Sequence, residues 1–538
     1  MTEKSAVRDE ADYVVVGAGS AGSAVASRLA ASGASVILLE AGKKDGSFLV
    51  TKPGMIGPMH SVPQIKKRVD WGYSTTPQRH MNNRVVPQTR GKVVGGSSAI
   101  NGLLWVRGNR ANYDFWAAEG NSGWDADAVN DAYRRVEDFE DGADDYRGAG
   151  GPIKVTRHTQ PTEASLQFQQ AAADTLGVKI LKDYNAAEQE GVSTFQQSAH
   201  QGTRYSASRG YLTGAGPALD VQPEVQANRV VIENGRATGV EVTDKHGRQR
   251  TVRAGKEVIL AAGVFGSPQL LMLSGVGPAA HLAEHGIPVV ADLPVGDNLQ
   301  DHLFVPTTYL MPNAVHRGIP TYFARGLARE LTRGGTFLEN SVFETVAFLR
   351  TSQATDVPDL QIHVLPWAYP SPNQDAPVRH KVDRRPALTV MSTLIYPRSR
   401  GTIRLASSEP TDAPLINMNY LADPADGQVL LEGVEIIREV MRSAAFGGNV
   451  TSELHPGAAI DAGAMKSELL DRATTVYHGV GTCRMGADER AVVGPDLRVH
   501  GVDRLRVADA SIMPSIIGGN TNAPSIMIGD KAAELVLG

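Results

Sequence analysis

Cysteine is nearly absent: Cys483 stands alone among 538 residues, so no internal disulfide can form and the chain owes nothing to an oxidising compartment. Long apolar runs are missing as well. No stretch approaches the roughly 18 consecutive apolar residues of a membrane-spanning helix. The opening MTEKSAVRDEADYVVVG passes from charged residues straight into an apolar strand, with no apolar leader and no small-residue cleavage site. Neither charge sign dominates. Lys+Arg 53 against Asp+Glu 58 leaves a net charge of −5, and so balanced a chain lacks the basic surface of a nucleic-acid binder. No internal repeat, low-complexity segment or metal-ligand spacing stands out. Hydrophobic residues at 42% and charged residues at 21% exclude a disordered or fibrous chain. The length allows roughly two to four domains. The expectation is a cytoplasmic protein with no nucleic-acid partner, no transmembrane segment and no metal.

Glycine, by contrast, is abundant, at 56 residues, and it falls in clusters. Residues 12–16, DYVVV, form a short β-branched run that opens onto Gly17-x-Gly19-x-x-Gly22. A helical pattern follows, Gly33 closes it, and ASVILLE makes a second strand. This is a complete β-α-β unit carrying the dinucleotide fingerprint. Gly17 allows the tight turn, Gly19 lets the backbone approach a pyrophosphate, and Gly22 lets helix and strand pack closely. The helix N-terminus offers free N–H groups and a positive dipole end to the phosphates. Glu40 ends the second strand, where its carboxylate can accept hydrogen bonds from a ribose 2′-hydroxyl. An acid there disfavours a 2′-phosphate, which leaves FAD and NAD.

The remaining chain divides by style. RVVIENGRATGVEVTD reads as a hairpin turning at Asn234-Gly235, and EVILAAG at 257–263 reads as a buried strand entering a glycine turn. Between 301 and 469, DLQIHVLPW, ALTVMSTLIYP and GTIRLA read as strands without intervening helices, the pattern of an antiparallel sheet, followed by the helical DGQVLLEGVEIIREVMRS. The last stretch returns to the glycine-punctuated style. The predicted fold class is therefore α/β plus α+β, with two interleaved domains. A discontinuous Rossmann-like nucleotide-binding domain takes 8–153, 195–300 and 470–538, and an antiparallel-sheet substrate domain takes 154–194 and 301–469.

Two further glycine clusters separate FAD from NAD. Gly91-Lys-Val-Val-Gly95-Gly96-Ser97-Ser98-Ala99-Ile100-Asn101 and Gly263-Val264-Phe-Gly-Ser267-Pro268 through Ser274-Gly275-Val-Gly277 resemble the two signatures of the glucose–methanol–choline (GMC) flavoprotein oxidoreductases. Asn298-Leu-Gln-Asp301-His302, Arg506-Val-Ala-Asp509-Ala510 and Asn520-Thr-Asn522 match further family segments in the family's order; Val264 is a small departure. The resemblance implies FAD in an extended pose. It places cofactor contacts at Gly17, Gly19, Ser20, Ala21, Glu40, Ala41, Trp71, Arg90, Gly96, Asn101, Gly102, Leu103, Leu104, Asp509, Ala510, Asn522 and Ala523, with the adenine contact at Ala227. Backbone N–H groups of the Asn101–Leu104 turn would face the flavin, and a final helix starting around Pro524 would point its N-terminus at the ring. Where some relatives link FAD through a histidine, this chain has Ile100, so the FAD is expected to be non-covalent.

The same resemblance places the active-site base at His478, with Asn520 as a partner that cannot titrate. The expected reaction is oxidation of an alcohol to an aldehyde or ketone, with the hydroxyl proton abstracted, hydride passed to flavin N5 and electrons handed to O2 or another acceptor. A neutral imidazole titrating near 6.5 suits the proton step, so flavin reduction is expected to rise with pH through that value. Rival readings on the same fold are a flavin-retaining hydroxynitrile lyase and a light-driven fatty-acid decarboxylase. His302 reads as a buried histidine satisfied by its surroundings, Cys483 as a structural thiol, and Trp71 and Trp367 as core residues. Trp71, Tyr73, Tyr477 and Trp367 are candidates for an aromatic wall such as some relatives place around a quaternary ammonium group, and no motif supplies an acid beside them.

Overall fold

A computed structural model describes residues 8–44, 46–315, 320–368 and 384–538. The β-α-β unit forms as expected: strand Glu10–Val16, helix Ser20–Ala31 and strand Val36–Glu40. The first strand lies in the middle of a seven-stranded sheet, parallel to Val36–Glu40 on one side and to Gln249–Leu260 on the other. Val14, Val15, Ile37, Leu38, Val258 and Ile259 are completely buried, as in a sheet covered on both faces, which is why these strands read as unbroken apolar runs. The predicted hairpin extends this sheet: Val225–Glu233 and Arg236–Asp244 pair antiparallel about Asn234 and Gly235, both at positive φ.

The terminal helix runs from Asn522 to Leu537, so Pro524 is its third residue and not its start. A proline is tolerated there because first-turn N–H groups have no partner inside the helix. This helix packs on Ser20–Ala31 at closest range beside Gly529, where a Cβ would meet the Ala21 carbonyl at 2.3 Å. Both helices therefore bring their N-termini to one place. Ser20 Oγ donates to Asn522 Oδ1 at 2.8 Å across 502 positions of sequence.

The second sheet also has seven strands, all antiparallel. Its order is Ser452–His455, Leu303–Leu310, Ala387–Leu394, Leu360–Leu365, Thr345–Leu349 and Gly191–Thr194, with Thr474–Thr475 also paired to Leu303–Leu310. Helix Pro424–Met441 covers one face. Gly433 lies so close that a Cβ would meet Ser392 Oγ at 2.2 Å and Leu360 Cδ1 at 2.7 Å. Alternation then dictates the rest. Leu360, Ile362 and Val364 join the main core under the helix, and Gln361, His363 and Leu365 point the other way.

Some sequence expectations shift. GTIRLA does not extend this sheet: Thr402–Arg404 pairs with Leu415–Asn417 in a separate two-stranded ribbon. The Asp426 carboxylate accepts from the N–H groups of Arg398 and Ser399, and Gly401 and Ile403 bond back to Leu299 and Gly296, which turns the chain away. Thr474 and Thr475, assigned to the nucleotide-binding part, pair with a strand of the second sheet. Strand Ile153–Arg157 runs across the boundary drawn at 153.

Candidate active site

Between the two sheets lies a cavity of about 1340 Å³. It exceeds the roughly 300–1,000 Å³ of a drug-sized site. Its wall runs from the glycine fingerprint to His478. On it lie Gly17, Gly19, Ser20, Ala21, Glu40, Ala41, Trp71, Arg90, Gly96, Asn101, Gly102, Leu104, Ala227, Asp509, Ala510 and Asn522, together with His478 and Asn520. Gly22, Leu103 and Ala523 do not line it.

The three fingerprint glycines separate by what surrounds them. Gly17 has φ +101, and a Cβ there would meet the Ala261 carbonyl oxygen at 2.4 Å. A Cβ on Gly22 would meet the Gly17 carbonyl oxygen at 1.8 Å, so Gly22 serves the helix–strand contact and never faces the cavity. A Cβ on Gly19 would meet only Gly96 Cα, at 3.9 Å. Open space therefore faces Gly19 at the helix N-terminus, where a dinucleotide phosphate would need it. These features fit an extended dinucleotide such as FAD.

Several wall residues are held from behind. Glu40 accepts from the N–H of Ala18 at 3.0 Å and of Gly42 at 2.8 Å, yet burial outweighs both donors and pushes its carboxyl up to about 7. Asp509 accepts from Gly263 N at 2.9 Å and Ser267 Oγ at 2.5 Å, which closes the start of helix Gly263–Leu273. Arg204, buried without a carboxylate partner and pushed down to about 9, donates to the carbonyl and Oδ1 of Asn101, both at 2.8 Å. The Leu103 N–H is likewise taken by Asn101 Oδ1, at 3.0 Å. That turn therefore offers fewer free donors than expected, because its own asparagine consumes one. Trp71 and Trp367 line the cavity and are not core residues.

At the other end, four elements meet around His478. Its Nδ1 lies 2.9 Å from Nδ1 of His302, the rings nearly perpendicular at 89°. Its Nε2 lies 3.2 Å from Asn520 Nδ2, and Asn520 Oδ1 accepts from Gln361 Nε2 at 3.1 Å. Asp301 holds the segment: Oδ1 accepts from the His478 N–H at 2.7 Å, and Oδ2 from Tyr420 Oη at 2.5 Å and Thr475 Oγ1 at 2.6 Å.

The tautomers follow from this arrangement. Asn520 has its Oδ1 taken by Gln361 and presents its amide N–H to His478 Nε2, so Nε2 accepts and His478 carries its proton on Nδ1. Burial pushes His302 down to about 3, which keeps it neutral and leaves its Nδ1 as the acceptor for that proton. The lone pair of His478 Nε2 is thus held only by the Asn520 amide. Burial first, with the positive charge of Arg90 adding to it, holds His478 well below the usual imidazole range. The expected rise of rate through 6.5 shifts accordingly: desolvation keeps this imidazole neutral at pH values below 6.5 as well.

The sequence left Gln361, His363 and the network of Asp301 without roles and read His302 as a bystander. His363, pushed down to about 3 by burial, lines the cavity, with Nδ1 3.2 Å from Thr393 Oγ1. A period-two pattern at 361 and 363 was the available signal, since polar residues recur on one face of an otherwise apolar strand. Cys483 is buried, and burial raises its thiol, as a structural role requires. One trio among the described residues has metal-like spacing, which the sequence reading passed over. It is His281, Glu284 and His285, with ligand atoms within 4.8 Å of one another. Nε2 of His281 accepts from the Leu405 N–H at 2.9 Å, which puts its proton on Nδ1 and removes that ligand atom from the group.

No helix among the described residues is long and apolar enough to cross a membrane. The family model GMC oxidoreductase matches residues 11–304 in its N-terminal part and 397–529 in its C-terminal part. An oxygen-dependent choline dehydrogenase from Sinorhizobium medicae is 40% identical over 544 residues, covering 98% of this chain and 96% of the relative; its Rhizobium meliloti counterpart is 39% identical with the same coverage. Among solved structures, pyridoxine 4-oxidase from Mesorbium loti superposes with a TM-score of 0.87 at 28% identity, covering 97% of this chain and 98% of that one. A formate oxidase superposes with a TM-score of 0.89 at 27% identity and 99% coverage of both chains. With the glycine-walled seat and the histidine–asparagine end sharing one cavity, these matches establish that the chain belongs to the GMC oxidoreductase family and is an FAD-dependent enzyme that oxidises CH–OH groups.

Proposed function

We propose that His478 is the base of the alcohol oxidation and that Asn520 and His302 serve it in different ways. The observation that carries this reading is the chain of hydrogen bonds ending on His478 Nε2, whose lone pair the neighbouring His302 leaves free. Bound FAD would supply the hydride acceptor at N5, in the seat lined by the cofactor residues named above. The substrate hydroxyl gives its proton to His478 Nε2 while the α-carbon gives up its hydride, so one proton and two electrons plus a proton leave the alcohol and a carbonyl compound remains. The Asn520 amide donates toward the oxygen as charge develops on it. Asp301 fixes the backbone of His478, and His302 is a positioning residue that sets the tautomer. Because burial lowers its pKa, His478 is unprotonated at neutral pH and the acceptor form is the one present.

The Ile100 side chain at the position of the covalent histidine supports non-covalent FAD, and denaturation should release the flavin. Molecular oxygen is the acceptor we favour, because it stands in the printed names of the choline dehydrogenase relatives. We also propose the two-part division of the chain, with Thr474–Thr475 moved to the substrate part, and a cytoplasmic location. The test is anaerobic stopped-flow reduction of the flavin by an alcohol in wild type and His478→Ala. Unimpaired reduction in the variant would overturn the assignment of the base.

A further inference from the structure

The relatives' names point to choline, a permanent cation, but the described residues at the substrate end of this cavity offer no free carboxylate to hold one. Three described carboxylates reach the cavity wall: Glu40, Asp412 and Asp509. Each already has partners. Glu40 and Asp509 take the backbone donors already described. Asp412 accepts from Ser407 Oγ at 2.6 Å, and its carbonyl accepts from Gln269 Nε2 at 2.8 Å. The acid nearest His478, Asp301, is off the wall and has both oxygens engaged. His363 and His478 are neutral, so neither adds a charge of either sign at neutral pH.

An aromatic cage would be the alternative holder of a quaternary ammonium. Trp71 is already occupied: Tyr73 stacks on it at 5.7 Å and 4°, and Lys92 Nζ sits 4.2 Å over its ring. A second cation beside that lysine would be repelled. The wall next to the catalytic end is instead a single apolar cluster of Ile56, Phe304, Val342, Leu365 and Met391, with Trp367 packed against it, and every member lines the cavity. Strand periodicity puts it there. Phe304 follows His302 by two residues, and Leu365 follows His363 by two, so each lies on the same face about 7 Å further along its strand.

Resting on the proposed role of His478, we infer that the substrate is an uncharged alcohol with an aromatic or alkyl body, not a quaternary ammonium alcohol. Its hydroxyl meets His478 and Asn520 while its body leaves water for the apolar cluster. A fixed positive charge on that body would have to shed its hydration near Arg90, with no free carboxylate among the described wall residues in return.

A matched pair on the holoenzyme tests this: 4-tert-butylbenzyl alcohol and its trimethylammonium isostere [4-(hydroxymethyl)phenyl]trimethylammonium. In anaerobic flavin reduction the neutral alcohol should exceed the cationic one by about 100-fold or more in kcat/KM. In parallel, tert-butylbenzene and phenyltrimethylammonium, which cannot be oxidised, are compared for the rise in Tm of the oxidised holoenzyme. The neutral ligand should give the larger rise. Equal or better reduction by the cationic alcohol, or an equal or larger Tm rise with the cationic ligand, overturns the inference. If no alcohol bleaches the flavin but the neutral ligand stabilises most, the inference stands, and what fails is the reading of His478 as the base for alcohols.

Discussion

The two seven-stranded sheets recognise their ligands by different means. The mixed sheet works through backbone: glycines at 17, 19 and 22 shape a turn, and the side chains matter chiefly by being absent. The antiparallel sheet works through side chains that alternate off its strands, and these are brought together from far apart. His302 and His478 are 176 positions apart, and Gln361 and Asn520 are 159 apart. A site built from absent side chains is compact in sequence. A site built from converging side chains exists only once the sheet has closed. The polarity differs too, since the cofactor end is lined by N–H donors and the substrate end by uncharged imidazoles and an apolar cluster.

The largest effect should come from the backbone site. A Cβ at Gly19 meets no protein atom closer than Gly96 Cα at 3.9 Å, so Gly19→Val should fold and yet emerge colourless from gel filtration. Gly22→Ala, whose Cβ would sit 1.8 Å from the Gly17 carbonyl oxygen, should instead lose stability and appear as a lower Tm of the apoprotein. If both variants behave alike, the distinction between cofactor approach and packing collapses. Next in size, His478→Ala should keep its flavin and lose about 10²–10⁴-fold in the rate of anaerobic flavin reduction. Asn520→Ala should lose less, because the base remains.

His302→Phe should cost roughly 10–100-fold, the scale typical for a group that orients an active histidine from behind. Its signature is the pH profile. Neutral His302 accepts from His478 Nδ1 and so favours the protonated ring; removing that acceptor should move the acid limb further down, which hydration after a loss of packing would not do. The smallest effect is in the wild type itself. Because His478 is held well below the usual imidazole range, the neutral form is already present at pH 6 and the flavin-reduction rate should be flat from pH 6 to 9. Its fall should come only on further acidification, as the imidazole takes up a proton. A sigmoid centred near 6.5 would mean that the ring is far better solvated than its burial implies.

Much of the architecture was legible before any coordinates. The β-α-β unit, the Asn234-Gly235 hairpin and the strands at 360–365 and 387–394 follow from periodicity and turn chemistry acting over a few residues. Even the errors were local. GTIRLA has the apolar pattern of a strand, and only the Asp426 bonds to Arg398 and Ser399 show that the chain has already left the sheet. By itself the sequence determined the glycine turn of the β-α-β unit and the family, because glycine spacing constrains backbone that is contiguous. Only the tertiary structure decided the chemistry of the other end: which nitrogen of His478 accepts, that its proton affinity is lowered, and that the acid beside it, Asp301, has both oxygens engaged. Tautomer, desolvation and the lack of a counter-charge are properties of what surrounds a group in space. At His478 those surroundings come from strands, a turn and a helix start that meet only in the folded chain.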